Sequence, residues 1–320
     1  MSKTFKKAER KGVGLLIGFS GPSGSGKTYS ALEAATGIVG EGQRFAVIDT
    51  ENGRASHYAD QFDFDHATLD PPFRPSAYLE LAKAAAKEGY QALVIDSMSH
   101  AWAGEGGAAD WHEEILQRMA GNDYKKRERV NMLAWAEPKQ DHKRMVAGLL
   151  QLNMHLILCF RAEDKMKAVK NEKGKQELVH AGWLPITEKH TPYELTTHIV
   201  FDPERPGMWL NRLKVQAQHL DIFPEGQLVT REAGQKLAQW AAGGASSPAS
   251  AEDPQSLKDE IQAAVDREDL DAIRKVWRRA KFADLREIME YAERASEYVK
   301  AQEIPPTSPG DEEFLEGDAA

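Results

Sequence analysis

Eight consecutive residues constrain this chain more than any other stretch. Gly21-Pro22-Ser23-Gly24-Ser25-Gly26-Lys27-Thr28 spells G-x-x-x-x-G-K-[ST] without a departure. One chemistry needs that spacing: glycines let backbone N–H groups curl around phosphates, a lysine neutralises their outer oxygens, and a threonine hydroxyl is offered to Mg2+. The apolar run from Val13 to Phe19 precedes the loop and a helix-like stretch from Tyr29 to Ala35 follows it. The loop therefore joins a strand to a helix whose positive end faces the same anion. Gly21, Pro22, Ser23, Gly24, Ser25, Gly26, Lys27, Thr28 and Tyr29 are expected to line a site for ATP with Mg2+.

Two later apolar runs end in acids. Phe45 to Ile48 leads into Asp49-Thr50-Glu51, and Leu93-Val94-Ile95 into Asp96-Ser97. Both read as buried parallel strands with their carboxyl ends toward the ligand. Asp96 is expected to hold Mg2+, directly or through water, together with Thr28. Glu51, expected on a strand next to the phosphate loop, suits the base that takes a proton from attacking water, with Asp49 structural. Arg161 closes a further run, Met154 to Phe160, at a place suited to sensing a γ-phosphate; an exposed strand-end arginine reads equally well there. Glu51, Lys27 and Arg161 form the expected catalytic set; the phosphate loop, Asp96 and Glu51 together specify hydrolysis rather than passive nucleotide binding.

The intervening segments carry weaker signals. Residues 54–75, with Asp70-Pro71-Pro72 and Pro75, read as irregular, and Tyr78 to Glu88 as a helix ended by Gly89. Residues 104–109 read as flexible, followed by a helix to Met119 and by the basic stretch Lys125, Lys126, Arg127 beside Tyr124. A helix is expected over 135–151. Residues 163–177 alternate in charge around a turn at Asn171–Gly174, the pattern of a mobile hairpin; Lys165, Lys167, Lys170, Lys173 and Lys175 suit a phosphate backbone or a solvated loop. Residues 194–201 and 208–216 read as strands. Arg212 and Lys214, two apart on the second, are expected on one face.

The first 242 residues thus make one α/β domain with a mostly parallel sheet flanked by helices. Residues 243–254 are a Gly/Ser/Ala/Pro linker, residues 255–302 carry apolar side chains at helical spacing, and residues 303–320 hold six acids and no base, a disordered tail. The net charge of −9 belongs to this end, since residues 1–240 balance 31 bases against 31 acids. Bulk coating of nucleic acid by charge is excluded, while a local basic groove is not. A lone Cys159 inside an apolar run rules out an internal disulfide and points to a reducing cytoplasm; no stretch is apolar enough for a membrane span.

The order of phosphate loop, Ala46-Val47-Ile48-Asp49-Thr50-Glu51 and Leu93-Val94-Ile95-Asp96-Ser97 resembles the RecA-like recombinase ATPases, and most closely the short RecA-type proteins coded by bacteriophages. The resemblance covers about residues 12–240. It implies Mg-ATP hydrolysis with Glu51 as base, and binding of single-stranded DNA during recombination or strand annealing. It also implies DNA contacts from segments 104–129 and 162–177, a homo-oligomer, and basic residues lent to the neighbouring subunit's site, for which Arg212 and Lys214 hold a comparable position. The chain departs from the full-length recombinases in having only about 12 residues before its first strand. A replication or recombination partner for the C-terminal region is a further expectation. A helicase or loader-like motor of the same fold, or a nucleotide-gated protein-interaction module, are the alternatives.

Overall fold

The computed structural model describes residues 14–40, 42–170, 176–224, 226–243, 254–282 and 285–302. They belong to two compact units divided after residue 246. In the first, β1 (Leu16–Gly21) feeds α1 (Lys27–Val39), and β2 (Phe45–Asp49) is followed by a short 3-10 helix at Arg54–Tyr58. Next come β3 (Phe64–Thr68), α2 (Pro75–Glu88) and β4 (Ala92–Asp96), then four helices, α3 (His100–Ala103), α4 (Ala108–Ala120), α5 (Tyr124–Ala134) and α6 (Ala136–Leu149). β5 (His155–Lys170) and β6 (Gln176–Pro185) pair as a hairpin; α7 (Thr191–Glu194), β7 (Thr197–Phe201), β8 (Trp209–Val215) and α8 (Arg231–Ala241) complete the unit.

The strands lie in the order β3-β2-β4-β5-β1-β7-β8, with β6 paired to β5 off this path. From β3 to β7 every pairing is parallel; β8 runs antiparallel to β7. The unbroken apolar runs follow from burial on both faces. Along β4, Leu93 and Ile95 pack with Tyr78, Leu79, Met145 and Leu149 of α2 and α6, whereas Ala92 and Val94 belong to the layer of α1 and α8. The α1–α8 contact depends on two glycines. A Cβ added at Gly37 would stand 2.0 Å from the Arg231 carbonyl oxygen, and one at Gly234 would stand 2.1 Å from that of Ala34.

Several expectations change. Residues 54–75 are not irregular throughout: they contain the 3-10 helix and the edge strand β3, whose half-exposed pattern hid it among polar residues, and Pro75 opens α2 instead of blocking it. Within the segment 104–129 the expected helix to Met119 is present as α4, and the basic stretch after it is helical as well, in α5. Arg212 and Lys214 do not share a face. The register of β7 and β8 shifts so that Lys214 pairs with His198 and Arg212 with the next residue, Ile199, which turns the two cations to opposite sides of the sheet.

The second unit is a bundle of α9 (Pro254–Val265), α10 (Leu270–Phe282) and α11 (Arg286–Gln302). Leu257, Ile261, Ile273, Val276, Ile288 and Val299 fill its own core. Most of the expected linker and the whole acidic tail lie outside the described residues. Among the described residues no helix is long and apolar enough to cross a membrane.

Candidate nucleotide site

The phosphate loop leaves β1 with Gly24 and Gly26 at φ 81° and 84°, a left-handed conformation that glycine adopts without a Cβ penalty. Gly26 has a second reason to be glycine. Its added Cβ would stand 2.4 Å from the Gly207 nitrogen, because the β7–β8 turn rests on the loop and Gly207 N–H donates to the Ser25 carbonyl at 2.9 Å. α1 then begins at Lys27, so its free N–H groups open toward the loop.

Inside this cradle the Lys27 ammonium donates to the Pro22 carbonyl at 2.8 Å, and burial pulls its pKa below the usual lysine range. Among the described residues the buried Ser25 hydroxyl finds no partner. A cation restrained by one loop carbonyl and an orphaned hydroxyl fit a polyphosphate anion. Thr28 Oγ1 donates to Asp96 Oδ2 at 2.5 Å. Burial pushes the Asp96 carboxyl up to about 6, against the opposing effect of that hydrogen bond. The hydroxyl and carboxylate supply oxygens of the kind a hard divalent cation takes.

Glu51 stands at the far wall. Contrary to the expectation, its strand is not adjacent to β1, because β4 and β5 intervene; the loop after β2 reaches the site because all these strands end at the same edge of the sheet. Asp49 builds that loop, accepting from Glu51 N–H at 2.6 Å and from Ala55 N–H at 2.7 Å. Between them Asn52 and Gly53 are both left-handed, at φ 59° and 79°. The reversal brings Arg54 back over Glu51, with Nη1 at 2.5 Å from Oε2. From β5, Arg161 lays Nε and Nη2 on Oε1 at 3.0 and 2.7 Å. Burial raises the Glu51 carboxyl, but the hydrogen bonds from Arg161 and Arg54 outweigh it and hold the group below the usual glutamate range.

These groups enclose a cavity of about 360 Å³ lined by Ser23, Gly24, Gly26, Lys27, Thr28, Tyr29, Glu51, Arg54, His57, Tyr58, Asp96, Arg161 and Pro206. Most of the residues named from the sequence for the nucleotide site line it, Arg161 in register with Gly21 across neighbouring strands. Arg54, His57, Tyr58 and Pro206 escaped notice. The Asn-Gly pair after Glu51 was a usable sign of the reversal that delivers Arg54; nothing local marks Pro206, which arrives by tertiary packing.

Other candidates lie elsewhere. Arg212 donates to the Phe223 carbonyl at 3.0 Å and packs over the Trp209 ring, and Lys214 donates to the Tyr193 carbonyl; neither lines the cavity. Lys125 and Lys126 are exposed on α5. Arg127 instead ties α5 to α4 through Glu113, Gln117 and the Gly121 carbonyl. Lys165 pairs with Glu163 at 2.9 Å. Lys167 and Lys170 lie on β5, and Lys173 and Lys175 fall outside the described residues.

No curated protein matches the chain. A family model described as an AAA domain matches residues 14–199, a stretch that opens just before β1, closes within β7 and carries the phosphate loop, Glu51, Asp96 and Arg161. With a preformed phosphate cradle at the carboxyl edge of a parallel sheet and more than half its length matched, the chain belongs to the AAA domain family of P-loop ATPases.

Proposed function

We propose that the protein is an Mg-dependent, RecA-like ATPase of the bacteriophage type that binds single-stranded DNA and acts as a homo-oligomer in recombination or strand annealing. One observation carries this reading. Arg161 contacts Glu51 and lies on β5, the same strand that continues, past a register shift at Lys165 and Met166, into the lysine-bearing β5–β6 hairpin. A hairpin laid on a phosphate backbone would pull directly on the group that holds Glu51.

In this reading Lys27 and the loop N–H groups grip the phosphates, and Thr28 and Asp96 would hold the cation, which would neutralise charge on the phosphates. Glu51 orients a water and accepts its proton as the water oxygen bonds to the γ-phosphorus and the bond to the ADP oxygen breaks. Arg161 leaves Glu51 for the terminal phosphate, which restores the carboxylate's basicity.

The test is ATP turnover by the full chain with and without single-stranded DNA at low salt, where phosphate contacts are strongest. Turnover should rise with DNA. No rise with any single strand would remove the DNA half of the proposal, and no turnover at all would remove the rest. A second reading, a nucleotide-gated protein-interaction module, draws on Tyr124, Met132 and Leu133, all strongly exposed on α5. It requires that turnover ignore DNA and that alanine at these three positions leave turnover unchanged.

A further inference from the structure

Glu51 is held by two arginines, and the two differ in what else they can do. Arg161 arrives from β5 and is in register with Gly21 of the phosphate loop. Arg54 is delivered by the same short loop as Glu51, three residues on, through the left-handed pair Asn52-Gly53 and the two N–H bonds to Asp49. Asp49 and Thr50 are buried, and Thr50 N–H donates to the Asp96 carbonyl at 2.8 Å, so the base of this loop is fixed to the sheet. The arginine side chain projects from it into the cavity with 58% of its surface exposed, using Nη1 alone on Glu51.

We infer that Arg54 is a positioning residue for the water-activating carboxylate: it keeps hold of Glu51 Oε2 while Arg161 releases Oε1 and turns to the terminal phosphate. The inference rests on the proposed role of Glu51. Without a second tether, the departure of Arg161 would leave a partly buried carboxylate free to rotate just when its direction matters. With Arg54 in place one oxygen stays anchored and the other is freed toward the cavity. Both partners belong to the single stretch from Asp49 to Arg54, so the anchor travels with Glu51 and does not depend on the hairpin.

The experiment compares Arg54→Ala, Arg54→Lys and Glu51→Gln in the full chain, by steady-state ATP turnover with single-stranded DNA present and by binding of a fluorescent ATP analogue. Arg54→Ala should lose roughly 100-fold in kcat, the lower end of what a positioned base contributes, with analogue affinity changed by less than about threefold. Arg54→Lys, which keeps a cation but not the forked geometry, should regain at least about tenfold of that loss. A merely structural role would move affinity and thermal midpoint together with kcat. An Arg54→Ala enzyme with undiminished kcat, or with affinity lost in step with kcat, or a lysine variant no better than alanine, would each overturn the inference. Should Glu51→Gln itself turn over normally, the failure lies in the role given to Glu51 and not in Arg54.

Discussion

Arg161 Nη2 lies 2.7 Å from Glu51 Oε1, although the two residues are 110 apart in the chain and two strands apart in the sheet. The pair ties the end of β5 to the loop after β2 across the mouth of β4. The guanidinium is 48% exposed while the Glu51 side chain is only 13% exposed and keeps Arg54 as a second partner, so the contact opens from the arginine side and adds little to stability. Arg161→Ala should therefore melt within about 1 kcal/mol of the parent protein, yet lose about 100-fold in turnover, the usual effect of removing one charge-stabilising donor. DNA stimulation should disappear in the same variant. Steady-state assays with and without DNA, alongside chemical denaturation, check all three outcomes.

Lys27 offers the opposite separation. Its ammonium makes one hydrogen bond among the described residues, to the carbonyl of Pro22 in its own loop, and it is buried at some cost to its charged form. Lys27→Ala should fold normally and melt no lower than the parent, since removing a desolvated cation offsets the lost bond. Its affinity for ATP should fall at least tenfold, about 1.4 kcal/mol or more. Calorimetric titration with ATP, paired with a thermal melt, measures both.

Asp96→Asn keeps an oxygen to accept from Thr28 Oγ1 but removes the negative charge. The bond at 2.5 Å can thus survive while the oxygen pair loses its attraction for a divalent ion. The Mg2+ concentration for half-maximal turnover should rise by roughly tenfold or more, with the fold intact by circular dichroism. An unchanged metal requirement would count against Asp96 as a cation-holding group.

Much of this site was legible because its chemistry is local. The phosphate loop, the acids ending β2 and β4 and the arginine on β5 each stand directly after an apolar run, and in a parallel sheet those positions collect at one edge. What stayed hidden depends on contacts between distant segments. The half-exposed alternation of Phe64–Thr68 carries no apolar run, so β3 went unseen; its strand exists because β2 offers it an edge. The same-face expectation for Arg212 and Lys214 assumed an unbroken period of two, which a register shift opposite His198 and Ile199 removes. Pro206 reaches the nucleotide cavity only because the Gly207 N–H is bonded to Ser25. A glycine in a sequence does not reveal which backbone it will meet.

The crossing of α1 and α8 tests that last point. Gly234 lets α8 approach until only a hydrogen fits against the Ala34 carbonyl, where an added Cβ would lie at 2.1 Å. Gly234→Ala places a better helix former in the middle of α8, worth up to about 1 kcal/mol if propensity alone decided. Backbone cannot yield as a side chain does, so the helices must separate and loosen the packing of Leu237 and Trp240. The variant should lose about 2 kcal/mol or more on balance. A urea midpoint at or above that of the parent would show that the two helices slide apart without cost.

His198 contributes a pH dependence of definite sign. It lies fully buried on β7 with Nε2 at 2.6 Å from Ser20 Oγ, its Nδ1 without a partner among the described residues, and the Phe160 ring beside it. Burial pushes its pKa from 6.5 down to about 3, so the folded protein holds the ring neutral. Between those values the unfolded chain's His198 binds one proton more than the folded one's, and this group's contribution to stability falls as pH drops from about 6.5, levelling off only below about 3. From pH 7 to pH 5 this single group withdraws about 2 kcal/mol. His198→Phe keeps a ring next to Phe160 and cannot titrate. It should be less stable than the parent at pH 7, because Ser20 loses its partner, and should close or reverse that gap by pH 5. Urea denaturation of both proteins at the two pH values measures the difference of differences, in which carboxylate titrations common to both cancel; an unchanged gap would mean that water or a rearranged Ser20 already solvates the charged ring.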